Sequence, residues 1–292
     1  FTNGGVERGK NYDSNQVNIS GYSSLEFKIN DKIKSVIGLR VENFIQKYTG
    51  ENSGGTIKYT DEKVIDKLDF FPSTNFIYSL KENSNLRLSY SKTTARPSFK
   101  EVSIAEIYDP LSNMTFNGNI NLKPSYIDNI DLRFEIFGDQ SQLFAVSSFY
   151  KSFKDPIELT YYESSTENFQ PKNLGNAKVY GLEFEIRKQL SNSLGVNLNA
   201  SIIESRQKFG ESELSLRTKG LREGETLGNY RRLQGQSPYL INSSLDYKNE
   251  NGLNAGLFFN IQGKTLEVVG TGFAPDVYTQ PFESLNLNLS KS

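Results

Sequence analysis

Tyr180-Gly181-Leu182-Glu183-Phe184-Glu185-Ile186-Arg187 alternates without a break: aromatic or aliphatic side chains at even numbers, glycine or charge at odd ones. A strand turns successive side chains to opposite faces, so this octapeptide has one greasy face and one charged face. The same rhythm holds at Leu194, Val196, Leu198, Ala200 and Ile202 against Gly195, Asn197, Asn199 and Ser201. Upstream it recurs in Tyr126–Ile136, at Ile37, Leu39 and Val41, and at Leu86, Leu88 and Tyr90. Downstream it recurs at Leu253, Ala255, Leu257, Phe259 and Ile261, then at Leu285, Leu287 and Leu289. No stretch has a helical period. The chain is all-β.

Short polar breaks at Asn30-Asp31, Glu82-Asn83-Ser84, Gly138-Asp139, Ser191-Asn192-Ser193 and Asn251-Gly252 each separate two alternating runs, as tight hairpin turns do. Between them lie longer polar connections at 47–70, 94–125, 154–176, 207–236 and 266–280. The cycle is short turn, strand, long loop, strand, repeated at an interval of about 50 residues, which a propeller blade also shows. A blade needs four short strands per repeat, whereas each cycle here has two strands and a loop too long for a compact soluble domain. An antiparallel up-and-down transmembrane β-barrel accounts for the pattern. Its strands need about 9–11 residues to cross the bilayer, with short turns on one side and long loops on the other.

Composition narrows the function. The 292 residues carry 33 Lys plus Arg and 34 Asp plus Glu, a net charge of −1 without the basic excess of a nucleic-acid binder. No cysteine excludes disulfides, thiol nucleophiles and Cys-ligated metals; no histidine removes the Ser-His-Asp triad and the commonest general base. Hydrophobic residues reach only 36%, yet the chain holds 16 Tyr and 20 Phe, which suits a structure wet on one face and apolar on the other. No run approaches the roughly 18 apolar residues of a spanning helix.

The polar face would point into a barrel lumen. It includes Glu26, Lys28, Arg40, Glu42, Asp131, Arg133, Glu135, Glu183, Glu185 and Arg187. Charges of both signs suit a wide hydrated barrel better than a narrow one filled with side chains. Tyr22, Tyr78, Tyr90, Tyr126, Tyr180, Tyr239 and Tyr247 fall near strand ends, where aromatic girdles belong. Five hairpins and a last strand at Phe282–Ser290 make about 11 strands, an odd number, and the chain stops at Lys291-Ser292 where a turn is expected. Phe1-Thr2-Asn3-Gly4-Gly5 is neither a start methionine nor a signal peptide. The expectation is a partial β-barrel domain over residues 1–292, about half of a larger barrel.

Several segments resemble one family in order. Ser89-Tyr90-Ser91-Lys92-Thr93-Thr94-Ala95-Arg96-Pro97-Ser98-Phe99 is similar to the strand-to-loop signature of TonB-dependent outer-membrane receptors of the Bacteroidota type. Gly118-Asn119-Ile120-Asn121-Leu122-Lys123-Pro124, Phe149-Tyr150-Lys151-Ser152-Phe153-Lys154-Asp155-Pro156-Ile157-Glu158, Val179-Tyr180-Gly181-Leu182-Glu183-Phe184-Glu185 and Gly38-Leu39-Arg40-Val41-Glu42 resemble further stretches of the same barrels. The resemblance covers about residues 20–250. It implies the C-terminal part of a 22-stranded barrel in the outer membrane of a Gram-negative bacterium, with a plug domain in the same full-length chain and energy drawn through the TonB complex. Neither plug, TonB-box nor terminal strand is visible in this segment. The implied function is import of a scarce ligand: a metal chelate, an oligosaccharide or a peptide. The alternative is a receptor-like barrel that scaffolds a surface lipoprotein or a secretion complex without transport.

Candidate site residues follow. Arg96, before Pro97, would stand at the lumen mouth, either contacting ligand or pairing with a carboxylate to fix its loop. Tyr108, Phe116, Tyr161, Tyr162, Phe169, Tyr230, Arg231 and Arg232 lie in the long loops, where aromatic and guanidinium groups stack on sugars or grip anions and otherwise pack loops together. Arg40, Glu42, Arg133, Glu135, Glu183, Glu185 and Arg187 are candidates for plug contact. Residues i and i+2 share a face, so Arg40/Glu42, Arg133/Glu135 and Glu185/Arg187 would also neutralise one another. Asp109-Pro110 and Asp155-Pro156 read as turns without calcium-loop spacing, and Gly4-Gly5 and Gly54-Gly55 lack the context of a phosphate loop. No catalytic group, metal site or cofactor is expected. Barrel enzymes of the phospholipase and protease kinds depend on histidine, and a carboxylate-pair glycosidase would have to use unmarked residues such as Glu183 and Glu185.

Overall fold

The computed structural model describes residues 11–111, 113–162, 165–271 and 274–291. Phe1–Gly5 and Ser292, named above, lie outside them. Eleven strands dominate: β1 Tyr12–Lys28, β2 Ile33–Glu51, β3 Lys58–Lys81, β4 Ser84–Ala95, β5 Ser125–Phe137, β6 Leu143–Lys154, β7 Asn176–Ser191, β8 Leu194–Lys208, β9 Tyr239–Lys248, β10 Leu253–Gln262 and β11 Phe282–Lys291. They pair antiparallel in chain order into one open sheet, and the short strand Tyr230–Arg231 adds to the end of β8. This is the up-and-down wall that the alternation and turns imply. Among the described residues no helix is long and apolar enough to cross a membrane.

The predicted tight turns are present and their polar residues close them. Asn30 Oδ1 accepts from the backbone N–H of both Lys32 and Ile33 at 2.9 Å, and the turn after β9 closes through Leu253 N–H onto Asn249 Oδ1 at 3.0 Å. Cross-strand partners keep one face apolar over the whole sheet. Leu182 pairs with Ile202, Leu257 with Leu245 and Leu287 with Leu257. These side chains stay exposed, Ile202 at 64% and Leu287 at 67%. An apolar band of that extent meets hydrocarbon in a closed barrel wall, where every ladder hydrogen bond is satisfied.

Two expectations are corrected. Residues 47–70 are not a long loop: β2 runs to Glu51 and β3 starts at Lys58, leaving a six-residue turn, 52–57. Lys58–Asp69 (KYTDEKVIDKLD) lacks apolar alternation because a strand rising beyond the bilayer has no greasy face to maintain. Tyr22 is not a girdle residue: it pairs with Arg40 in the middle of β1, on the polar face. Tyr78, Tyr180, Tyr239 and Tyr247 do share the apolar face.

The buried core sits where the loops meet the inner face of the wall. The 96–124 connection holds the short helix α1 (Phe99–Val102) and strands Glu106–Asp109 and Met114–Asn117; the latter two join Ile157–Tyr162 and Ser165–Asn173 in a separate four-stranded sheet. Connection 209–238 carries helix α2 (Glu211–Lys219), and 263–281 a small hairpin of Thr265–Val268 with Val277–Thr279. Leu233 folds back onto Ala177 and Val179 of β7, beside Phe149, Phe153 and Ile203, and its N–H reaches Ser205 Oγ at 3.2 Å. All of these strand residues lie on the polar face. The loops therefore cap that face, and its upper part is apolar where they cover it.

Candidate functional site

The inner wall is an ionic ladder from β2 to β7. Arg87 and Arg133 stand directly opposite each other, and Glu135 takes one guanidinium on each carboxylate oxygen, at 2.5 Å and 3.0 Å. Arg133 also reaches Glu185 at 2.8 Å, and Glu185 meets Arg187 at 3.8 Å. Like charges directly opposite are unfavourable in an antiparallel pair; a carboxylate two residues along the strand is what makes the arrangement stable. Arg40 pairs with Glu42 at 2.5 Å. Glu183 is exposed and makes no ion pair among the described residues.

Arg96 leaves the end of β4 and turns onto the wall. It pairs with Glu42 at 2.7 Å and Asp69 at 3.3 Å, and its guanidinium lies over the Phe44 ring, 4.3 Å from the centroid. Tyr126 donates its hydroxyl proton to Asp69 at 2.7 Å. Pro97 prevents further laddering, and Ser98 with Glu101 forms a reciprocal capping box that starts α1.

Above the wall, three loops are bolted together by buried charge. Arg231 donates to both oxygens of Glu158, at 2.8 Å and 2.6 Å, and through Nε to Glu213 at 2.8 Å. Glu213 also holds Arg217 at 3.0 Å, and Arg217 reaches Asp276 at 2.6 Å. Gln234 exchanges hydrogen bonds with the Leu159 backbone at 2.6 Å and 3.2 Å and donates to the Glu267 carbonyl. Burial opposes the charge on Arg231 and Arg217, but hydrogen bonds and fields from Glu158, Glu213 and Asp276 outweigh it and raise both arginines above their ordinary range. Burial likewise pushes the Asp276 carboxyl up, yet Arg217 and the Gly270 N–H overcome this and hold it below the usual value.

The loop candidates thus separate by surroundings. Arg231 is committed to protein carboxylates and the Arg232 carbonyl. Tyr161 packs its ring against Phe169 in a tilted pair, centroids 5.3 Å apart; Phe169 pairs with Phe116, which lies under Lys100 at 4.2 Å. Tyr108, Tyr162, Tyr230 and Arg232 are exposed at the cap surface. The sequence reading did not name Glu213, Arg217, Gln234 or Asp276. Glu158 stood in a motif, and nothing local marked its partner 73 residues away. Among the described residues no group of three or more acidic side chains is placed to hold a metal ion.

Comparison with known structures places this architecture. The copper transporter OprC superposes with a TM-score of 0.69 at 16% identity, over 96% of this chain and 40% of its own. The ferric yersiniabactin uptake receptor FyuA from Yersinia pestis gives 0.66 at 17%, covering 96% and 39%. The FrpB iron transporter from Neisseria meningitidis (F3-3 variant) gives 0.63 at 16%, covering 97% and 39%. At such identities the likeness is one of fold, and the chain spans about two fifths of the length of these structures. Comparison with curated protein sequences gave no match. The model of the outer membrane protein beta-barrel family matches residues 3–292. With apolar side chains outward, a polar wall inward and that match over nearly its whole length, the chain belongs to the outer membrane protein β-barrel family and resides in the outer membrane.

Proposed function

We propose that this chain is the C-terminal part of the barrel of a TonB-dependent receptor of the Bacteroidota type, importing a scarce ligand through a wider barrel that a plug domain of the same polypeptide occupies. One observation carries the reading: short turns at one rim, an interlocked loop cap at the other, and a charged, hydrated wall between. A passive scaffold needs the rims but has no use for an ion-lined interior. Residues 1–292 act as one partial barrel domain, surrounded by outer-membrane lipid and without enzymatic activity. The exposed Tyr108, Tyr162, Tyr230 and Arg232 are the loop side chains open to a ligand, and the exposed Arg40, Glu183 and Arg187 are the wall side chains open to a plug. The similar structures include a copper transporter, a ferric yersiniabactin uptake receptor and an iron transporter, so cupric ion and ferric chelates stand beside oligosaccharides among the cargoes to test.

Growth of an expressing strain on ferric chelates, cupric ion and oligosaccharides as sole sources tests this, with and without a functional TonB complex. The expected result is a growth advantage on one source that disappears without TonB. An advantage that persists without TonB overturns the reading. Tight co-purification of a surface lipoprotein with no growth advantage would favour the scaffold.

A further inference from the structure

The inner positions of β8–β11 carry a chemistry unlike the rest of the wall. Three rows cross the four strands at registered pairs: Asn199–Asn242–Asn260–Ser284, Asn197–Ser244–Phe258–Asn286 and Gly195–Asp246–Gly256–Asn288. Neighbouring strands lie about 4.8 Å apart, so polar groups repeat along each row at that spacing. An asparagine amide supplies two donors and an acceptor oxygen with no net charge. Some of this capacity is used internally: Asn260 Nδ2 donates to Asn242 Oδ1 at 2.5 Å, and Asn197 Nδ2 to Ser244 Oγ at 3.1 Å. The side chains of Asn199, Asn286 and Asn288 make no hydrogen bond among the described residues.

Phe258 sits in the middle of the strip, 42% exposed on a polar face. Its ring is folded back over Gly256, where a Cβ would stand 2.7 Å from Cε2. Only glycine permits that posture, which holds the ring along its own strand. Shallow recesses of about 210 Å³ and 270 Å³ flank it. Only Asp246 and Lys248 bring charge to the inner positions of these strands.

We infer that this strip binds a neutral, hydroxyl-rich solute, an oligosaccharide, on its way along the wall. An anionic chelate would be selected by arginine or lysine, which the strip lacks apart from Lys248 at its turn. Hydroxyl groups both donate and accept, as the amides do, and a flattened aromatic ring offers an apolar surface for the C–H face of a sugar. An extended peptide would match the amides but has no need of the ring. The assignment rests on the transport reading above and chooses its cargo class.

Isothermal titration of the folded protein in detergent with maltohexaose, with cellopentaose and with a Gly-Ser hexapeptide tests it. At least one sugar is expected to bind with a dissociation constant on the order of 1 mM or tighter. Phe258→Ala is expected to weaken it about tenfold and the pair Asn242→Ala with Asn260→Ala about fivefold. Leu245→Ala, on the opposite face, leaves binding unchanged. Heat-modifiable electrophoretic mobility verifies that each variant is a folded barrel, and Gly256→Val, which displaces the ring without removing it, supplies a second route to the same loss. Absence of binding by both sugars at 20-fold that concentration, on the order of 20 mM, overturns the assignment. So does sugar binding indifferent to Phe258, or tighter binding of the peptide. Binding needs no energy source, so its failure leaves TonB-dependent uptake standing, and loss of uptake with intact sugar binding strikes only the transport reading.

Discussion

Arg231 and Glu158 in the loop cap, and Arg133 and Glu185 on the inner wall, form the same kind of ion pair at nearly the same distance, 2.6 Å and 2.8 Å. Their surroundings differ. The cap pair is 4% and 1% exposed, the wall pair 30% and 29%. In the cap, each charge has lost its water and depends on its partner, so the network fixes how three loops sit. On the wall, water competes for the guanidinium groups of Arg87, Arg133 and Arg187, and the ladder mainly keeps like charges such as Arg87 and Arg133 tolerable side by side. Burial decides whether the same chemistry holds structure or only neutralises a surface.

The sharpest way to break this comparison is Glu158→Ala. It leaves Arg231 in a dry site with Glu213 as its one remaining carboxylate partner, and removing one partner of a buried pair costs about 3–5 kcal/mol. Hydrogen exchange in loops 155–175, 209–238 and 263–281 is expected to rise roughly a hundredfold or more, with strands β5–β8 unchanged. Exchange that stays at the wild-type rate would show the network to be ornamental. Next in size is acid. Asp276 is held below its free value of about 3.9, so its contribution is complete above that value and is lost as pH falls toward its folded one. Protection in 263–281, measured against the intrinsic exchange rate at each pH, is expected to be flat from pH 7 to about pH 5 and to fall below about pH 4, and Asp276→Asn removes the dependence.

Glu135 lies between the extremes, 6% exposed while its arginines are 37% and 30% exposed. Glu135→Ala is expected to cost about 1–3 kcal/mol, read as a lower denaturant midpoint for barrel unfolding. Arg187→Gln comes last. Its pair is long at 3.8 Å and its side chain 55% exposed, so a change within about 0.5 kcal/mol is expected. A larger loss there than at Glu135 would reverse the ordering by burial.

The wall was legible because hydrocarbon imposes a rule on every second residue: Leu182, Phe184 and Ile186 must be apolar whatever the ligand. The tight turns were legible because Asn30, Asn249 and Gly252 act locally. Legibility ended where those constraints end. Lys58–Asp69 forms half of β3 beyond the hydrocarbon, with charges on both faces, so it looked like a loop. The strands Glu106–Asp109 and Met114–Asn117 are four residues each, too short for a period to register. The cap network joins residues up to 76 positions apart, and pairing at that range leaves no mark in the local pattern. Tyr22 was misplaced because residue type suggested a girdle while only register could show which face it occupies.

The account depends most on which face meets lipid. The chain has no cysteine, so single cysteines at each position from Gly181 to Arg187 can carry a nitroxide label in bilayers. Collision with oxygen, which concentrates in hydrocarbon, is compared with collision with a water-soluble nickel chelate. The expected result is a period of two, with oxygen favoured at 182, 184 and 186 and nickel at 181, 183, 185 and 187. A uniform profile, or one with the opposite phase, would contradict it.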